Sequence, residues 1–304
     1  MIAMRRRHPG TGRARGSRIV VAGLVTALML AVGSPATART RPTAETADAA
    51  RATSVVSTAA TARMLPPANA TFDYQIGGAY TPASSVRIVD RDRLDAPVRG
   101  RYNVCYVNAF QTQTAEAAWW KTHHRDLLLR RADGSYVVDG AWNEILLDTS
   151  TAAKRRALLA IVGRWIDGCR SRGFQAVEPD NLDSWTRSKS RLSRADNIAF
   201  ARLLVARAHA DHLAIAQKND TSMAPVGRSI GFDFAIVEEC QVYSECGAYT
   251  RTYGRLVYEI EYVDNGGAAG FARACSARGR SISIVYRDRD VLPRGSRGYV
   301  YRAC

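Results

Sequence analysis

Short apolar runs alternate with longer amphipathic stretches along the chain from residue 72 onward. Each run has four to six residues, and most are almost continuously apolar, which is typical of strands buried on both faces of a parallel sheet. Ile145–Leu147 is a candidate for one further strand. The eight main runs are Phe72–Ile76, Val86–Val89, Tyr102–Val107, Phe174–Val177, Leu213–Ala216, Phe232–Val237, Leu256–Ile260 and Ile282–Tyr286.

The stretches between these runs carry helical periodicity. Apolar residues recur at helical spacing from Leu158 to Cys169, and Gly173 follows as a stop signal. The next helix begins at Ser193, and Asp196 stands three residues later, as in a capping box. Eight strand and helix units in about 234 residues predict a single (β/α)8 TIM barrel, of the α/β class. A doubly wound open sheet is the alternative.

The N-terminal segment is typical of a secretory signal peptide. Residues 1–18 contain six arginines and no acid, and residues 19–32 form an apolar run too short to cross a bilayer comfortably. Small residues at Ala36 and Ala38 then predict cleavage after Ala38. We therefore expect residues 1–38 to be a signal peptide and the protein to be secreted, without stable membrane association after cleavage. An uncleaved membrane anchor is the alternative.

Residues 39–70 are rich in Ala and Thr and contain almost no large apolar side chain. Such a segment cannot bury enough surface to offset the entropy lost on folding, so we expect a disordered linker or pro-segment. The folded domain is then expected to span residues 71–304, which is long enough to form a large core.

Composition and charge exclude several classes of protein. The 304 residues are 46% hydrophobic and 23% charged with a mean hydropathy of −0.21, which excludes a wholly disordered chain and a membrane protein with many spans. The net charge of +15 would by itself indicate a nucleic acid or another polyanion as partner. However, residues 1–70 hold ten arginines against two acids, so the folded part carries only about +7. We therefore expect no nucleic-acid partner.

All six cysteines lie after residue 70. An even number in an exported chain predicts disulfides, and six cysteines allow 15 pairings. Cys240 with Cys246 and Cys275 with Cys304 are the pairs we expect first. A zinc site is the alternative, but the chain contains no C-x-x-C spacing.

Polar side chains stand directly after four of the predicted strands. Because barrel active sites are built at the carboxyl ends of the strands, we expect these residues to converge at one mouth. The alternative is that each acid caps the following helix, which fits Asp183 and Asp220 best. The residues are Glu178, Asp180, Asn181 and Asp183 after Val177, Lys218, Asn219 and Asp220 after Ala216, Glu238 and Glu239 after Val237, and Glu261 and Tyr262 after Ile260.

Several of these segments resemble a known family. The similarity runs in one order, without large gaps, from about residue 71 to the C-terminus. Its most specific parts are Glu-Pro-Asp-Asn-x-Asp at 178–183 and Glu-x-Cys with Glu-Cys at 238–246. The chain resembles the endo-α-1,4-polygalactosaminidase family of glycoside hydrolases, family 114. The other similar segments are Phe72–Gly78, Val104–Tyr106, Ala208-His209, Lys218-Asn219 and Glu261-Tyr262.

The resemblance implies a TIM-barrel enzyme that cuts inside α-1,4-linked galactosamine-containing polysaccharide. We expect it to be a monomer and to need no metal or organic cofactor. Its catalytic carboxylates carry over as Asp180 and Glu238. The family usually has Asn before the glutamate and a neutral residue after it, whereas Val237 and Glu239 stand here. Because neighbouring residues of a strand face opposite ways, only one of Glu238 and Glu239 can face the mouth. A non-catalytic carbohydrate-binding barrel is the alternative function.

Hydrolysis of a glycosidic bond uses two carboxyl groups. We expect Asp180 to be the nucleophile and Glu238 the general acid/base, and we expect Glu178 and Glu261 to raise the pKa of the acid through like-charge repulsion. Carboxyls ~5–5.5 Å apart would indicate retention of configuration, and ~6.5–9.5 Å inversion. The residues expected to contact substrate are Gln75, Tyr106, Glu178, Asp183, Lys218, Asn219, Glu261 and Tyr262.

Overall fold

Every one of the eight predicted strands is present in the computed structural model, which describes residues 63–304. The barrel strands are β1 Phe72–Tyr74, β2 Ile88–Asp92, β3 Tyr102–Asn108, β6 Ala176–Asp180, β7 Ala214–Lys218, β8 Phe234–Glu238, β9 Val257–Tyr262 and β10 Ser283–Arg287. A small hairpin of β4 Val138–Asp139 and β5 Glu144–Ile145 follows β3, and β11 Tyr301–Ala303 ends the chain. The helices are α1 Ala117–His123, α2 Ala152–Arg172, α3 Arg194–Ala210, α4 Gly227–Ile230, α5 Cys246–Tyr253 and α6 Gly267–Arg278.

The strands form one sheet in the order β1-β2-β3-β6-β7-β8-β9-β10-β11. All neighbours from β1 to β10 are parallel, and β11 runs antiparallel to β10. β1 lies beside β10, where the Arg287 guanidinium donates to the Tyr74 carbonyl and the Tyr301 hydroxyl donates to the Phe72 carbonyl at 2.9 Å. The sheet therefore closes almost completely. This confirms the TIM-barrel class and excludes the open doubly wound sheet.

The ring of helices is less regular than eight identical units would give. Within residues 63–304, no helix follows β1, β2 or β10. The connection after β2 has only nine residues, and the one after β1 contains Gly77, Gly78 and Pro82, which disfavour a helix. The helices that the sequence pattern predicts are present: α2 ends at Gly173 with a φ of 95°, and α3 begins with a capping box between Ser193 and Asp196. No helix in this part of the chain is long and apolar enough to cross a membrane.

Two layers of apolar side chains surround the sheet. The outward residues of the strands pack against the helices, and the inward residues fill the barrel. Inside, small residues such as Ala176 and Ala214 leave room for large rings, so Tyr258 packs between Phe72 and Phe234 with ring centroids 5.7 and 5.8 Å away. The alternation also determines which polar residues face inward near the strand ends, because they must share a face with these core residues.

Residues 63–70 close the amino-terminal end of the barrel. The Tyr102 hydroxyl donates to the Met64 carbonyl at 2.7 Å, and the Tyr258 hydroxyl donates to the Pro67 carbonyl at 3.1 Å. Ser283 Oγ donates to the Ala70 carbonyl at 2.7 Å. The ordered contacts thus begin before residue 71, where the sequence predicts the domain to start. The predicted signal peptide, its cleavage after Ala38 and residues 39–62 lie outside the described residues.

The six cysteines form three disulfides. Cys240–Cys246 and Cys275–Cys304 are the predicted pairs and are confirmed. The third, Cys105–Cys169, joins β3 to α2. The bridge at Cys304 holds β11 at the junction between β10 and β1.

We expect loss of the Cys275–Cys304 bridge to cost more stability than loss of the Cys240–Cys246 bridge. The two bridges join residues 29 and 6 positions apart. Chain entropy then gives about 3.5 and about 2 kcal/mol respectively. Guanidinium unfolding of the two double Cys→Ser variants measures the difference. Equal losses, or a larger loss at the short loop, would show that chain entropy does not govern these bridges.

Candidate active site

Three neighbouring strands end in charged residues that face the mouth of the barrel. Asp180, Lys218 and Glu238 are the last residues of β6, β7 and β8. Each shares its face with inward core residues of its own strand, such as Ala216 two positions before Lys218. The chain then turns sharply, because the next residues have left-handed backbones: Asn181 (φ 66°), Asn219 (φ 48°) and Glu239 (φ 59°).

Lys218 lies at the centre of the site. Its Nζ is 3.0 Å from Glu178 Oε1, 3.4 Å from Asp180 Oδ1 and 3.5 Å from Glu238 Oε2. It also donates to the Tyr74 hydroxyl at 2.9 Å. Burial alone would lower the pKa of Lys218, but the surrounding carboxylates outweigh that effect and hold it well above its usual range. The ammonium is therefore charged at every physiological pH.

Exposure separates these residues into two levels. The side chains of Asp180 and Glu238 are 18% and 26% exposed, whereas those of Lys218 and Glu178 are 1% and 0% exposed. A molecule at the mouth can therefore reach Asp180 and Glu238 but not the two buried side chains. Lys218 and Glu178, both predicted to contact substrate, lie beneath the two accessible carboxyls.

Asp180 is held by donors on two sides. The Tyr106 hydroxyl donates to Oδ2 at 2.8 Å, and the backbone N–H of Asn181 donates to Oδ1 at 2.7 Å. Lys218 approaches the same Oδ1. These contacts fix the orientation of the Asp180 carboxyl group.

Glu238 is held in a similar way. The Tyr262 hydroxyl donates to Oε1, and Asn219 Nδ2 donates to Oε2 at 2.9 Å. Asn219 also accepts the backbone N–H of Glu238 at 2.8 Å, so this one side chain fixes both the backbone and the carboxyl. Because Asp180 Oδ1 and Glu238 Oε2 both lie within 3.5 Å of Lys218 Nζ, these two oxygens are at most about 7 Å apart.

Of the two adjacent glutamates, it is Glu238 that faces this cluster. Glu239 instead pairs with Arg289, which also bonds Asp264 at 2.8 Å. The Arg289 guanidinium stacks over the Tyr262 ring at 4.0 Å. Glu239 therefore supports the Tyr262 ring through Arg289 and does not enter the mouth.

Gln75, a predicted contact residue, lies outside the cluster. Tyr74 occupies the inward position of β1, so its neighbour Gln75 faces the other side. There Gln75 donates to Asp73 Oδ2 at 2.8 Å and accepts from Arg91 Nε at 2.9 Å. The backbone N–H of Tyr80 also donates to Gln75 Oε1, at 3.3 Å, so these side-chain contacts of Gln75 hold β1, β2 and the loop after β1 together.

Glu261 also lies outside the cluster. Tyr262 takes the inward position of β9, and Glu261 faces outward, where its Oε1 accepts the Gln241 backbone N–H at 2.9 Å. Burial raises the pKa of Glu261 to about 8, and the neighbouring Glu259 carboxyl contributes in the same direction. On this side of the strand, Glu261 is not placed to repel a charge on Glu238 as the sequence predicts.

Asp183 lies at the rim of the mouth and is paired. Arg187 Nη1 donates to Asp183 Oδ2 at 2.7 Å, and Arg187 Nη2 donates to Asn181 Oδ1 at 2.9 Å. The same guanidinium lies 2.8 Å from Asp139 Oδ2. Asp183 thus belongs to a network that orients the loop after β6.

The sequence pattern gave no indication of Glu144, which lies near Asp180. Its Oε2 accepts from Asn108 Nδ2 at 2.9 Å and from Gln111 Nε2 at 3.0 Å. Burial raises its pKa to about 6, and the charge of Asp180 contributes in the same direction. Glu144 stands in the hairpin after β3 and not at the end of a barrel strand, so neither position nor periodicity identifies it.

The sequence pattern also does not identify Asp90 and Tyr74 as site residues, for a different reason. Asp90 lies inside β2. It is also the polar residue that ends the apolar run Val86–Val89, so the sequence pattern predicts the strand to end before it. Tyr74 lies inside the apolar run Phe72–Ile76, where a tyrosine is equally typical of core packing. The signal that could have found both is the alternation along β1 and β2, which puts Tyr74 and Asp90 at paired inward positions.

One group of side chains in the described part of the chain has the spacing of metal ligands. Potential ligand atoms of Cys240, Cys246 and Glu259 lie within 4.8 Å of one another. The two sulfurs are joined in a disulfide, so they are not thiolates, and Glu259 pairs with Arg278 at 2.9 Å. The donor set therefore does not fit a metal ion.

Comparisons with known proteins agree on the fold. A sequence profile of glycoside-hydrolase family GH114 matches residues 52–304. The structure of Ega3 from Aspergillus fumigatus in complex with galactosamine is similar, with a TM-score of 0.65 and 22% identity over 80% of this chain and 98% of that chain. The glycoside hydrolase domain of PelA from Pseudomonas aeruginosa has a TM-score of 0.50 and 16% identity over 73% and 95% of the two chains. No curated protein matches the sequence.

We expect the Glu261→Gln variant to have a flatter dependence of stability on pH. The folded pKa of about 8 lies above the value of about 4.5 expected when unfolded, so the native state binds the extra proton. The resulting stability is complete below about pH 4.5 and is lost as pH rises through 8, by at most about 1.4 kcal/mol per pH unit. Gln cannot ionise, and its amide oxygen can still accept the Gln241 N–H.

Urea unfolding between pH 5 and 9 measures this effect. Asp133→Asn, which changes an exposed carboxyl in a turn, is the control and should leave the slope unchanged. Parallel curves for the wild type and Glu261→Gln would contradict the raised pKa.

Proposed function

Because the chain belongs to glycoside-hydrolase family GH114 and is therefore a glycoside hydrolase, we propose that Asp180 and Glu238 are its two catalytic carboxyl groups. The observation that carries this proposal is that both are accessible at the mouth and both approach the same buried ammonium, at 3.4 and 3.5 Å. Membership in the family favours an enzyme over a non-catalytic binding barrel.

Asp180 acts as the nucleophile in this proposal. Tyr106, the Asn181 N–H and Lys218 hold its carboxylate in place, so it can attack the anomeric carbon of the sugar. Glu238 donates its proton to the leaving glycosidic oxygen, and a covalent glycosyl-enzyme forms on Asp180. Glu238 then takes a proton from water, which attacks the same carbon and frees Asp180. The limit of about 7 Å between the nearest oxygens is compatible with this retaining mechanism.

The substrate that fits best is a secreted polysaccharide of α-1,4-linked galactosamine, cut at internal bonds by a monomeric enzyme. Ega3, whose fold is similar, was crystallised with galactosamine. A partly deacetylated polymer carries ammonium groups, and the mouth carries accessible carboxyls that would attract them. Glu144 is one candidate for such a contact, because Asn108 and Gln111 both donate to its Oε2. Three disulfides are typical of an oxidising compartment, which supports secretion.

Incubation with secreted galactosaminogalactan, before and after chemical deacetylation, tests the substrate directly. We expect mass spectrometry to detect a ladder of oligosaccharides from the deacetylated polymer, because internal cleavage releases fragments of many lengths. Boiled enzyme is the control. If neither polymer yields any oligosaccharide, the proposed substrate is wrong.

The Asp180→Asn and Glu238→Gln variants test the roles of the two carboxyls. We expect cleavage to fall by about 10³-fold or more while binding of the polymer is kept, since each variant keeps the shape but loses the nucleophile or the proton. Glu239→Gln is the matched control, because Glu239 pairs with Arg289 away from the mouth, and we expect it to stay within about threefold of the wild type. A larger loss in Glu239→Gln than in Glu238→Gln would reverse the assignment.

Activity on the deacetylated polymer should fall as salt rises. Attraction between the ammonium groups of the substrate and the carboxyls at the mouth is screened over about 10 Å at 0.1 M salt and about 3 Å at 1 M. Initial rates measured against NaCl concentration, with the fully acetylated polymer as control, give the comparison. The same response for both polymers would count against charge attraction at the mouth.

A further inference from the structure

A buried carboxyl lies below the site and has no assigned role. Asp90 is fully buried in β2 and faces the barrel interior, because Ile88, two residues before it, belongs to the interior core. No side chain of the described residues donates an N–H or a hydroxyl to either Asp90 oxygen, and the nearby donor is the backbone N–H of Arg91. A fully ionised carboxylate in such a position would be strongly disfavoured.

The group that Asp90 faces is the Glu178 carboxyl, which lies within hydrogen-bond reach. Glu178 Oε1 accepts from Lys218 Nζ at 3.0 Å and from the Tyr74 hydroxyl at 3.2 Å. Glu178 Oε2 has no such donor. Two carboxyls in contact cannot both ionise without strong repulsion, so one proton between them is the stable arrangement.

The proton belongs on Asp90. Glu178 already receives the Lys218 ammonium and the Tyr74 hydroxyl, both of which favour its ionised form, whereas Asp90 forms no ion pair and has only the Arg91 backbone N–H nearby. Burial raises the pKa of Asp90 well above its usual range, and the charge of Glu178 contributes in the same direction. The titratable groups that face the pair are Tyr74 on β1, Tyr106 on β3, Asp180 on β6, Lys218 on β7, Glu238 on β8 and Tyr262 on β9.

We propose that Asp90 is a protonated carboxylic acid that donates a hydrogen bond to Glu178 and so positions Glu178 and Lys218 beneath the catalytic carboxyls. Asp90 is a positioning residue, since it acts through Glu178 and touches neither substrate nor the reacting atoms. Its effect on catalysis rests on the proposed roles of Asp180 and Glu238.

The consequence for catalysis concerns charge. Burial raises the pKa of Glu178 to about 7, and the Asp90 donor together with Lys218 acts in the opposite direction, so the donor favours an ionised Glu178 that offsets the positive charge of Lys218. Without this donor, Glu178 binds the proton itself, and the full Lys218 charge acts on Asp180 and Glu238. Glu238 then loses its proton too readily to act as a general acid at neutral pH.

Two variants of Asp90 test whether it is a protonated hydrogen-bond donor or an ionised carboxylate. Asp90→Asn keeps a donor, the amide N–H, and we expect kcat within about threefold of the wild type with an unchanged pH profile. Asp90→Leu fills the same space without a donor, and we expect kcat to fall at least about tenfold, KM to change little, and the alkaline limb of the profile to move about one unit lower. If Asn reduces kcat as much as Leu, Asp90 is not a neutral donor and the proposal fails.

A second measurement does not depend on activity or on the folding of the Leu variant. Infrared difference spectra of the wild type against Asp90→Asn at pH 7 should show the loss of one C=O stretching band of a protonated carboxyl. Absence of that band in the wild type overturns the proposal, even if Asp180 and Glu238 act as proposed. If the band is lost but Asp180→Asn stays active, the protonation of Asp90 holds and the proposed catalytic roles are wrong.

Discussion

The charge of Lys218 is the constraint on which the upper half of the barrel depends. A buried ammonium costs several kcal/mol unless oxygens of acidic groups surround it, and three carboxyl groups lie within 3.5 Å of Lys218 Nζ. Glu178 and Asp180 come from β6 and Glu238 from β8, on either side of the strand that carries Lys218. The ammonium is therefore compensated only when the three strands are correctly aligned. The same alignment of strands that forms this part of the sheet therefore also assembles the site.

The barrel interior is apolar at its amino-terminal end and polar at its carboxyl end. At the amino-terminal end, rings of Phe72, Phe234 and Tyr258 fill the space next to alanines. Towards the carboxyl end, tyrosine hydroxyls become hydrogen-bond donors, as Tyr106 does to Asp180 and Tyr262 does to Glu238. The rings supply apolar area while the hydroxyls satisfy buried acids, so one residue type serves both packing and electrostatics.

The fold could be predicted well from sequence because strands buried on both faces read as apolar runs, and the ends of those runs locate Asp180, Lys218 and Glu238. The sequence pattern did not predict which residue at each strand end faces inward. Gln75 and Glu261 stand at strand ends but beside Tyr74 and Tyr262, which take the inward positions. Other features depend on contacts between residues far apart in the chain, and no local pattern contains them. These include the carboxyl pair under Lys218, the amides that hold Glu144, and the bridge from Cys105 to Cys169.

The chain segment that closes the lower end of the barrel would also limit any proteolytic trimming of the N-terminus. Three hydroxyls, of Tyr102, Tyr258 and Ser283, donate to carbonyls of residues 64–70. A protease that trims the N-terminus can stop anywhere before Arg63 without disturbing these bonds. A cut within 64–70 would leave buried hydroxyls unpaired, each at a cost of about 1–3 kcal/mol, and would open the barrel to water from below. An enzyme trimmed in this way should therefore begin no later than this segment.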